Sequence, residues 1–339
     1  MTKKLDECIL SSLSQVKTTL QNLPCQEEIM AGWPADEEPL LSIACITYNH
    51  SQYIEDALAG FLVQKTNFRF EIVVHDDASP DGTVDILRQY QKEYPSLIRL
   101  IVQKENQYAK CKTPFFHLYP KLRGKYIALC EGDDYWVDPL KLQKQVEYLE
   151  KNPNFVISGH DACIIDEIGE VVQDSKLPDV HKRDYSARDL QEGNALILTL
   201  SWVFRRVLAD DEAQAERSVV VNGDRFLISL LGQYGDAHYH DDISPAFYRA
   251  HEGGVWSSLD TKSRDKTHIT TFIMISNYYQ RIGQLELADV WWKRADRVFI
   301  TRYLSTAKLL KESLTRLSFL RRIRSLLGRV KSHLIRSHE

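Results

Sequence analysis

Long apolar runs are absent from this sequence. No segment reaches the roughly eighteen uninterrupted apolar residues that a membrane-spanning helix requires. The first residues, 1–8, also lack the apolar core of a secretion signal. We therefore expect a cytoplasmic protein without a membrane-spanning segment.

Cysteine pairs of the metal-binding kind are absent as well. The chain has six cysteines, and none of them forms a C-x-x-C pair. Several lie in apolar runs, where a cysteine usually fills space in the core. Neither a zinc site nor a disulfide framework is expected.

Three common phosphate-handling motifs are missing too. The absence of a G-x-x-x-x-G-K-[ST] loop excludes the P-loop class, and the absence of G-x-G-x-x-G after a strand disfavours a nicotinamide dinucleotide. A haloacid-dehalogenase loop needs Asp-x-Asp-Gly-Thr, but the matching stretch begins with Ser79. Phosphate must be held in another way.

The sequence does have a pair of adjacent acids, Asp133 and Asp134, just after the apolar run 126–130. Neighbouring carboxylates repel each other, and a hard divalent cation that also contacts phosphate oxygens is a usual reason to keep them together. A metal on Asp134 would hold phosphate in this way. The alternative is a pair of acids that favours the start of a helix near Pro139.

The composition is that of a globular enzyme, with 339 residues, 43% of them hydrophobic, and a net charge of -4. Strands are predicted at 40–46, 70–75, 97–102 and 126–130, and helices after Ser51, which is expected to cap the first of them, and at 82–94, 115–122 and 139–150. This alternation with short connections predicts an α/β fold, a mostly parallel sheet with helices on both faces.

Polar residues follow three of the predicted strands, in the segments 47–50, 76–83 and 131–134. Ligands of parallel sheets bind beyond the carboxyl ends of the strands, so we expect these segments to share one crevice. A helix cap around Asn49 and a turn at 79–82 are structural alternatives. The turn leaves the acids Asp76 and Asp77 on the same rim unexplained.

Three segments in this order and spacing resemble the GT-A fold, family 2 (inverting) glycosyltransferases: Ile46 to Asn49, Val74 to Thr83, and Glu131 to Asp134 followed by Pro139. The resemblance covers residues 40–160 well and continues more loosely through 201–205, 222–230 and 248–256. It implies a Rossmann-like GT-A fold and a nucleotide-sugar donor.

The resemblance also implies roles for residues of the crevice. Thr47, Tyr48 and Asp77 would line the base and ribose pocket, and Asp133 would approach the ribose or a metal-bound water. Asp134 would ligate Mg²⁺ or Mn²⁺ that bridges the donor diphosphate, and His251 would complete the metal shell. The whole implied nucleotide-sugar site comprises Thr47, Tyr48, Asn49, Asp76, Asp77, Asp133 and Arg249. Glu131 stands where the family often has an aspartate, which leaves its role open.

The catalytic base that the resemblance implies is Asp224, in Gly223-Asp224 at the start of the predicted helix 224–231. An acid in a first helical turn also complements the helix dipole, so a structural role is the alternative. Trp202 and Trp256 are candidates for stacking on a sugar ring, with packing in the core as their alternative.

Helical patterns flank the predicted catalytic domain. We predict an N-terminal amphipathic helix and linker at 1–39, a GT-A domain at 40–258 and a C-terminal helical region at 259–339. A leucine stripe among arginines in 301–339 predicts peripheral contact with the inner face of the cell membrane, and docking on a protein surface is the alternative. The negative net charge argues against a nucleic-acid partner, and a homo-oligomer is left open.

These observations predict a metal-dependent inverting glycosyltransferase of the hexosyl- or N-acetylhexosaminyl-transferase class. It would move a sugar from a nucleotide sugar, with UDP favoured, to a saccharide or lipid-linked saccharide acceptor in surface polysaccharide biosynthesis. One alternative is a non-catalytic sugar-nucleotide-binding or assembly subunit of the same fold. A nucleotidyltransferase is disfavoured because no glycine-rich phosphate loop follows the first strand.

Overall fold

The computed structural model describes residues 22–35, 37–110, 114–208, 216, 220, 222–254 and 259–303. The predicted N-terminal helix and the basic tail fall mainly on 1–21 and 304–339, outside the described residues. Within the described ranges, no helix is both long enough and apolar enough to cross a membrane.

The described residues contain ten strands in two sheets. A seven-stranded sheet has the order β3-β2-β1-β4-β8-β5-β9, and a three-stranded sheet has the order β10-β6-β7. The strands are β1 (Leu41–Thr47), β2 (Phe70–Asp76), β3 (Ile98–Val102), β4 (Tyr126–Glu131), β5 (Phe155–Gly159), β6 (Ala162–Ile165), β7 (Val171–Gln173), β8 (Val203–Arg205), β9 (Asp236–Tyr239) and β10 (Ala246–Arg249).

The large sheet is mostly parallel, which confirms the predicted fold class. Strand β1 pairs in parallel with β2 and with β4, and β2 pairs in parallel with β3. Strand β8 runs antiparallel to both β4 and β5. The register sets Thr47 beside Asp76 and Ile46 beside Glu131. The ends of β1, β2 and β4 therefore lie at one edge of the sheet.

Helices follow most strands of the large sheet. They are α1 (Gln26–Met30), α2 (Ile54–Leu62), α3 (Thr83–Glu93), α4 (Pro114–Leu118), α5 (Lys141–Lys151), α6 (Ala187–Glu192), α7 (Gly223–Leu231), α8 (Thr261–Arg281) and α9 (Leu285–Tyr303). The predicted cap at Ser51 is wrong, because α2 begins only at Ile54 and the Ser51 N–H donates to Asp81 instead.

Hydrophobic clusters cover both faces of the large sheet, as predicted. Alternate residues of β1 point to opposite faces: Ile43 joins the cluster formed with α2, α3 and α5, and Ala44 joins the cluster formed with α4, α7, α8 and α9. The second cluster places Trp291 of α9 in the same core as Phe204 of β8. The C-terminal helices thus share a core with the sheet, and the three-part division of the chain stays a prediction.

Candidate functional site

The loop after β1 is tied to the loop after β2 by hydrogen bonds from its backbone. Asn49 N donates to Ser79 Oγ at 2.9 Å, His50 N to Thr83 Oγ1 at 3.0 Å and Ser51 N to Asp81 Oδ2 at 2.9 Å. Asn49 has a φ of 60°, which is uncommon outside glycine. Such strained backbone persists where surrounding contacts hold it, often at functional sites.

Both carboxylates at the end of β2 are used by neighbouring loops. Asp76 accepts hydrogen bonds from Ser79 N at 2.9 Å and from Ser79 Oγ at 2.5 Å. Asp77 accepts from Gln107 N at 2.8 Å and from Tyr108 N at 2.9 Å. The structure therefore gives these acids a role in shaping the rim, and their contacts with a nucleotide stay predictions.

The end of β1 offers two further predicted nucleotide contacts. Thr47 is buried, and its Oγ1 has no hydrogen-bond partner among the described residues. Tyr48 is 43% exposed at the rim of the crevice. Gly132 lies against Thr47, because a Cβ on that glycine would stand 2.7 Å from Thr47 Oγ1.

Three carboxylates gather at the end of β4. Burial, followed by the charges of Asp133 and Glu131, raises the pKa of Asp134 well above its ordinary value. Asp134 Oδ1 accepts a hydrogen bond from Arg249 N at 2.9 Å. Burial and the charge of Asp133 raise the pKa of Glu131 to about 7. Neighbouring negative charges and poor solvation disfavour the ionised form of these carboxyls. A bound cation would favour the ionised form.

Asp133 lies between two histidines. His251 Nε2 donates to Asp133 Oδ2 at 3.0 Å, and His50 Nε2 lies 3.7 Å from the same oxygen. Burial works to raise the pKa of Asp133, but the hydrogen bond from His251 and the charge of His50 outweigh it and lower the pKa. One ligand atom from each of the three residues lies within 4.8 Å of the others.

This cluster combines His251, a predicted metal ligand, with His50, which the sequence does not single out for metal binding. In the sequence, His50 is only the last residue of the rim segment 47–50. Asp134 is not a member of this three-residue cluster, and metal ligation by Asp134 stays a prediction.

Hydrogen bonds join the Arg249 side chain to the loop after β4 and to helix α2. Its Nε donates to the Asp133 carbonyl oxygen at 3.1 Å and its Nη2 to Asp56 Oδ2 at 2.7 Å. The guanidinium also lies over the ring of Tyr53, 4.7 Å from the centroid, and the side chain is only 3% exposed. These contacts hold Arg249 in the protein and give no support to the predicted contact with the donor.

Asp224 lies in the first turn of α7, as predicted, and its side chain is exposed. Its Oδ1 accepts a hydrogen bond from the next residue, Arg225 N, at 2.7 Å. The charge of Asp224 contributes to the raised pKa of Glu131. The role of Asp224 as catalytic base stays a prediction.

The tryptophan that was a candidate for sugar stacking is not available for it. Trp202 is fully buried, and its Nε1 donates to the Ile197 carbonyl oxygen at 3.1 Å. The core alternative is therefore correct for Trp202. The other candidate, Trp256, lies outside the described residues.

Comparison with known proteins agrees with this geometry. Residues 42–210 match the family model described as glycosyl transferase family 2. An uncharacterized protein of Mycobacterium tuberculosis is 38% identical over 225 residues, which are 66% of this chain and 62% of that protein. This chain therefore spans less than two thirds of the length of that relative.

A second relative and a solved structure point the same way. TuaG of Bacillus subtilis, named for a proposed role as a teichuronic acid biosynthesis glycosyltransferase, is 33% identical over 132 residues, 39% of this chain and 49% of TuaG. The crystal structure of Staphylococcus aureus TarS 1-349 in complex with UDP-GlcNAc superposes with a TM-score of 0.55 at 16% identity, covering 80% of this chain and 75% of that 1-349 chain. Taken with the family match and the motifs at the ends of β1, β2 and β4, these similarities show that the chain belongs to glycosyl transferase family 2, with the GT-A fold.

Proposed function

We propose that this chain is a metal-dependent inverting glycosyltransferase that uses a UDP-sugar donor and a saccharide or lipid-linked saccharide acceptor. The observation that supports it most is the cluster of His50, Asp133 and His251 at the carboxyl end of β4. It lies where ligands of such sheets bind, and the charge of a carboxylate at a helix start, Asp224, acts on Glu131 of the same acid cluster.

The donor set fits a divalent metal. Burial lowers the pKa of His50, which favours the neutral ring whose lone pair a metal needs, and its Nδ1 has no hydrogen-bond partner among the described residues. Two imidazoles and one carboxylate favour Mn²⁺ over Mg²⁺, because Mg²⁺ prefers oxygen ligands. We place the metal on Asp133, His50 and His251, with Asp134 beside it. The bound metal would supply positive charge for the donor diphosphate.

The chain's own residues would handle the acceptor. The acceptor hydroxyl oxygen forms a bond to the anomeric carbon of the donor sugar as the bond from that carbon to the diphosphate oxygen breaks. Asp224 takes the hydroxyl proton, and the departing electron pair goes to the diphosphate. Asp224 is suited to this role because it is exposed, lies in the first turn of α7 and contributes its charge to the raised pKa of Glu131.

The comparisons support the choice of donor and product without fixing them. TarS, which shares the fold, was crystallised with UDP-GlcNAc, and this supports a UDP-linked sugar of the hexosyl or N-acetylhexosaminyl class. TuaG, named for teichuronic acid biosynthesis, supports a surface polysaccharide as the product. Peripheral membrane contact through 301–339 would bring the enzyme to a lipid-linked acceptor.

A screen of nucleotide sugars by thermal unfolding, with and without Mn²⁺, tests the proposal. We expect UDP and one or more UDP-sugars to raise the melting temperature only when Mn²⁺ is present. Incubation with labelled donor and a lipid-linked saccharide extract should then release UDP and label the extract. Metal-dependent binding without any release of UDP would instead favour a non-catalytic binding subunit, and no stabilisation by any nucleotide would contradict the proposal.

A further inference from the structure

A short segment after β7, residues 174–177, carries a lysine to the acid cluster. Asp161 fixes the segment on both sides of this residue, because its Oδ1 accepts from Leu177 N at 3.0 Å and its Oδ2 accepts from Ser175 Oγ at 2.5 Å. Lys176 N donates to the Ala162 carbonyl oxygen at 2.6 Å. The backbone of Lys176 is therefore held in place, although the segment has no regular secondary structure.

The Lys176 side chain has an aromatic support and no ionic partner. Its Nζ lies 3.5 Å from the centroid of the Tyr248 ring. A cation over the face of a tyrosine is attracted by the ring electrons. No hydrogen bond or ion pair joins this ammonium to another residue in the described part of the chain, so its three N–H donors can reach a ligand.

Strand β10 brings the tyrosine, and with it the lysine, to the acid cluster, because the residue after Tyr248, Arg249, donates from its N to Asp134 Oδ1 at 2.9 Å. Burial lowers the pKa of Lys176, and the charge of Asp134 opposes this effect. Burial and the charges of Asp134, Asp133 and Glu131 raise the pKa of Tyr248 to about 12. The ammonium therefore stands close enough to Asp134 to feel its charge, yet it forms no ion pair with it.

Once a donor diphosphate is bound, the negative charges in the crevice outnumber the positive charges of the metal. Glu131, Asp133 and Asp134 contribute up to three negative charges, and a diphosphate adds more, against the two positive charges of a divalent metal. The guanidinium of Arg249 is already paired with Asp56. Lys176 is a cation of this region whose donors are not used within the described protein.

We propose that Lys176 binds a phosphate group in the crevice, with its ammonium donating hydrogen bonds to phosphate oxygens and with Tyr248 positioning it. The inference rests on the glycosyl transfer proposed above. The phosphate belongs either to the donor diphosphate, on which negative charge grows as the bond to the sugar breaks, or to a lipid-linked acceptor. A hydrogen bond between two charged groups of this kind is among the strong ones in proteins.

Calorimetry and kinetics of Lys176→Met distinguish the two sources of phosphate. If the donor supplies it, the affinity for UDP in the presence of Mn²⁺ falls about tenfold or more, the affinity for uridine stays unchanged, and Lys176→Arg keeps most of the UDP affinity. If the acceptor supplies it, UDP affinity is unchanged while kcat/KM falls for a phosphate-bearing lipid-linked acceptor and not for a phosphate-free saccharide. Either pattern supports the proposal.

A charge deletion elsewhere provides the control. Lys293→Met removes a lysine of α9 that is 71% exposed and paired with Asp289, and it should change none of these values. Lys176→Gln serves as a second variant if Lys176→Met unfolds at a lower temperature. Wild-type affinities and kinetics in the Lys176 variants overturn the inference, and so does an equal loss for uridine and UDP. A wild-type chain that binds no nucleotide overturns the proposed function itself.

Discussion

Asp133 shows how single residues give the crevice its chemistry. Burial alone would raise the pKa of the Asp133 carboxyl, but the hydrogen bond from His251 and the charge of His50 lower it. Asp133 is therefore ionised at neutral pH, and a metal would replace the proton that His251 shares with it. Asp133 thus supplies a negative charge that can bind a cation even without a bound nucleotide sugar.

The substitution Asp224→Asn tests the proposed role of Asp224 as the catalytic base. We expect the affinity for UDP and Mn²⁺ to stay near that of the wild type, and the rate of sugar transfer to fall by about 10²- to 10⁴-fold, the usual effect of removing a general base. Isothermal titration and a transfer assay with labelled donor measure the two quantities separately.

The substitution also separates catalysis from helix stability. Asparagine retains the side-chain oxygen that accepts from Arg225 N, so a purely structural Asp224 would lose little on this change. Near-full transfer by Asp224→Asn would therefore assign the base to another carboxylate. Asp210, Asp211 and Glu252 would be the next to change, the first two of which lie outside the described residues.

The sequence predicted part of this site and missed another part. The motifs after β1, β2 and β4 located the crevice because the residues of each motif are adjacent in the chain. The sequence does not single out His50 and Lys176 because the residues that they contact, Asp133 and Tyr248, are distant in sequence. Arg249 matched the expected position, but the structure shows its guanidinium engaged by Asp56 and backbone carbonyls. Such pairings depend on tertiary contacts that a motif does not contain.

At the scale of elements, Asp81 links the loop after β1 to the start of α3. It accepts from Ser51 N, from Thr83 N at 3.0 Å and from Thr83 Oγ1 at 2.5 Å. Burial works to raise the pKa of Asp81, but the hydrogen bonds from Thr83 and Ser51 lower it to about 2. Because the folded-state pKa lies below the unfolded value, this link stabilises the fold above about pH 4 and is lost as the pH falls towards 2.

Asp81→Asn should therefore change the pH dependence of stability. We expect the free energy of unfolding to be lower than in the wild type at pH 6, and the difference to shrink as the pH falls from about 4 to 2. Urea denaturation at several pH values measures it. A difference that stays constant over this range would show that Asp81 does not titrate as described.

Close packing joins β1, β4 and α2 at Gly132. A Cβ at this position would lie 2.8 Å from both Thr47 Cβ and Ile54 Cδ1, so Gly132→Ala must displace one of them. We expect a destabilisation of about 1–3 kcal/mol, typical of overpacking, together with weaker UDP binding. Gly32→Ala is the matched control, because its nearest neighbour is Thr66 O at 3.9 Å. Equal stability of the two variants would contradict the packing described.

Some elements follow from the sequence and others do not. The sequence predicts strands β1 to β4 and helices α3, α4, α5 and α7, and α8 and α9 fall in the predicted helical region 259–339. The strands β6, β7 and β8 have only three or four residues each, too few for a period to show. The start of α2 was misplaced because a partner from another loop, Asp81, engages Ser51.

At the scale of the whole molecule, the last two helices and the sheet form one core. Trp291 of α9 is fully buried, and its Nε1 donates to the Gln191 carbonyl oxygen at 2.7 Å. We expect Trp291→Ala to destabilise the protein by about 3–5 kcal/mol and to shift one cooperative unfolding transition that includes the sheet. Far-ultraviolet circular dichroism during urea denaturation checks this. Two transitions, of which only one moves, would show instead that residues 259–339 form the separate region that the sequence predicted.

In the proposed function, Asp133 and its two histidines hold a metal that binds the donor diphosphate. Calorimetric titration of UDP into the wild type and Asp133→Asn, with and without Mn²⁺, tests it most directly, with Asp85→Asn, whose side chain is 86% exposed on α3, as the control. We expect Mn²⁺ to strengthen UDP binding to the wild type and the control, and Asp133→Asn to lose at least tenfold in affinity together with its dependence on Mn²⁺. Unchanged UDP affinity with unchanged Mn²⁺ dependence in Asp133→Asn would contradict it.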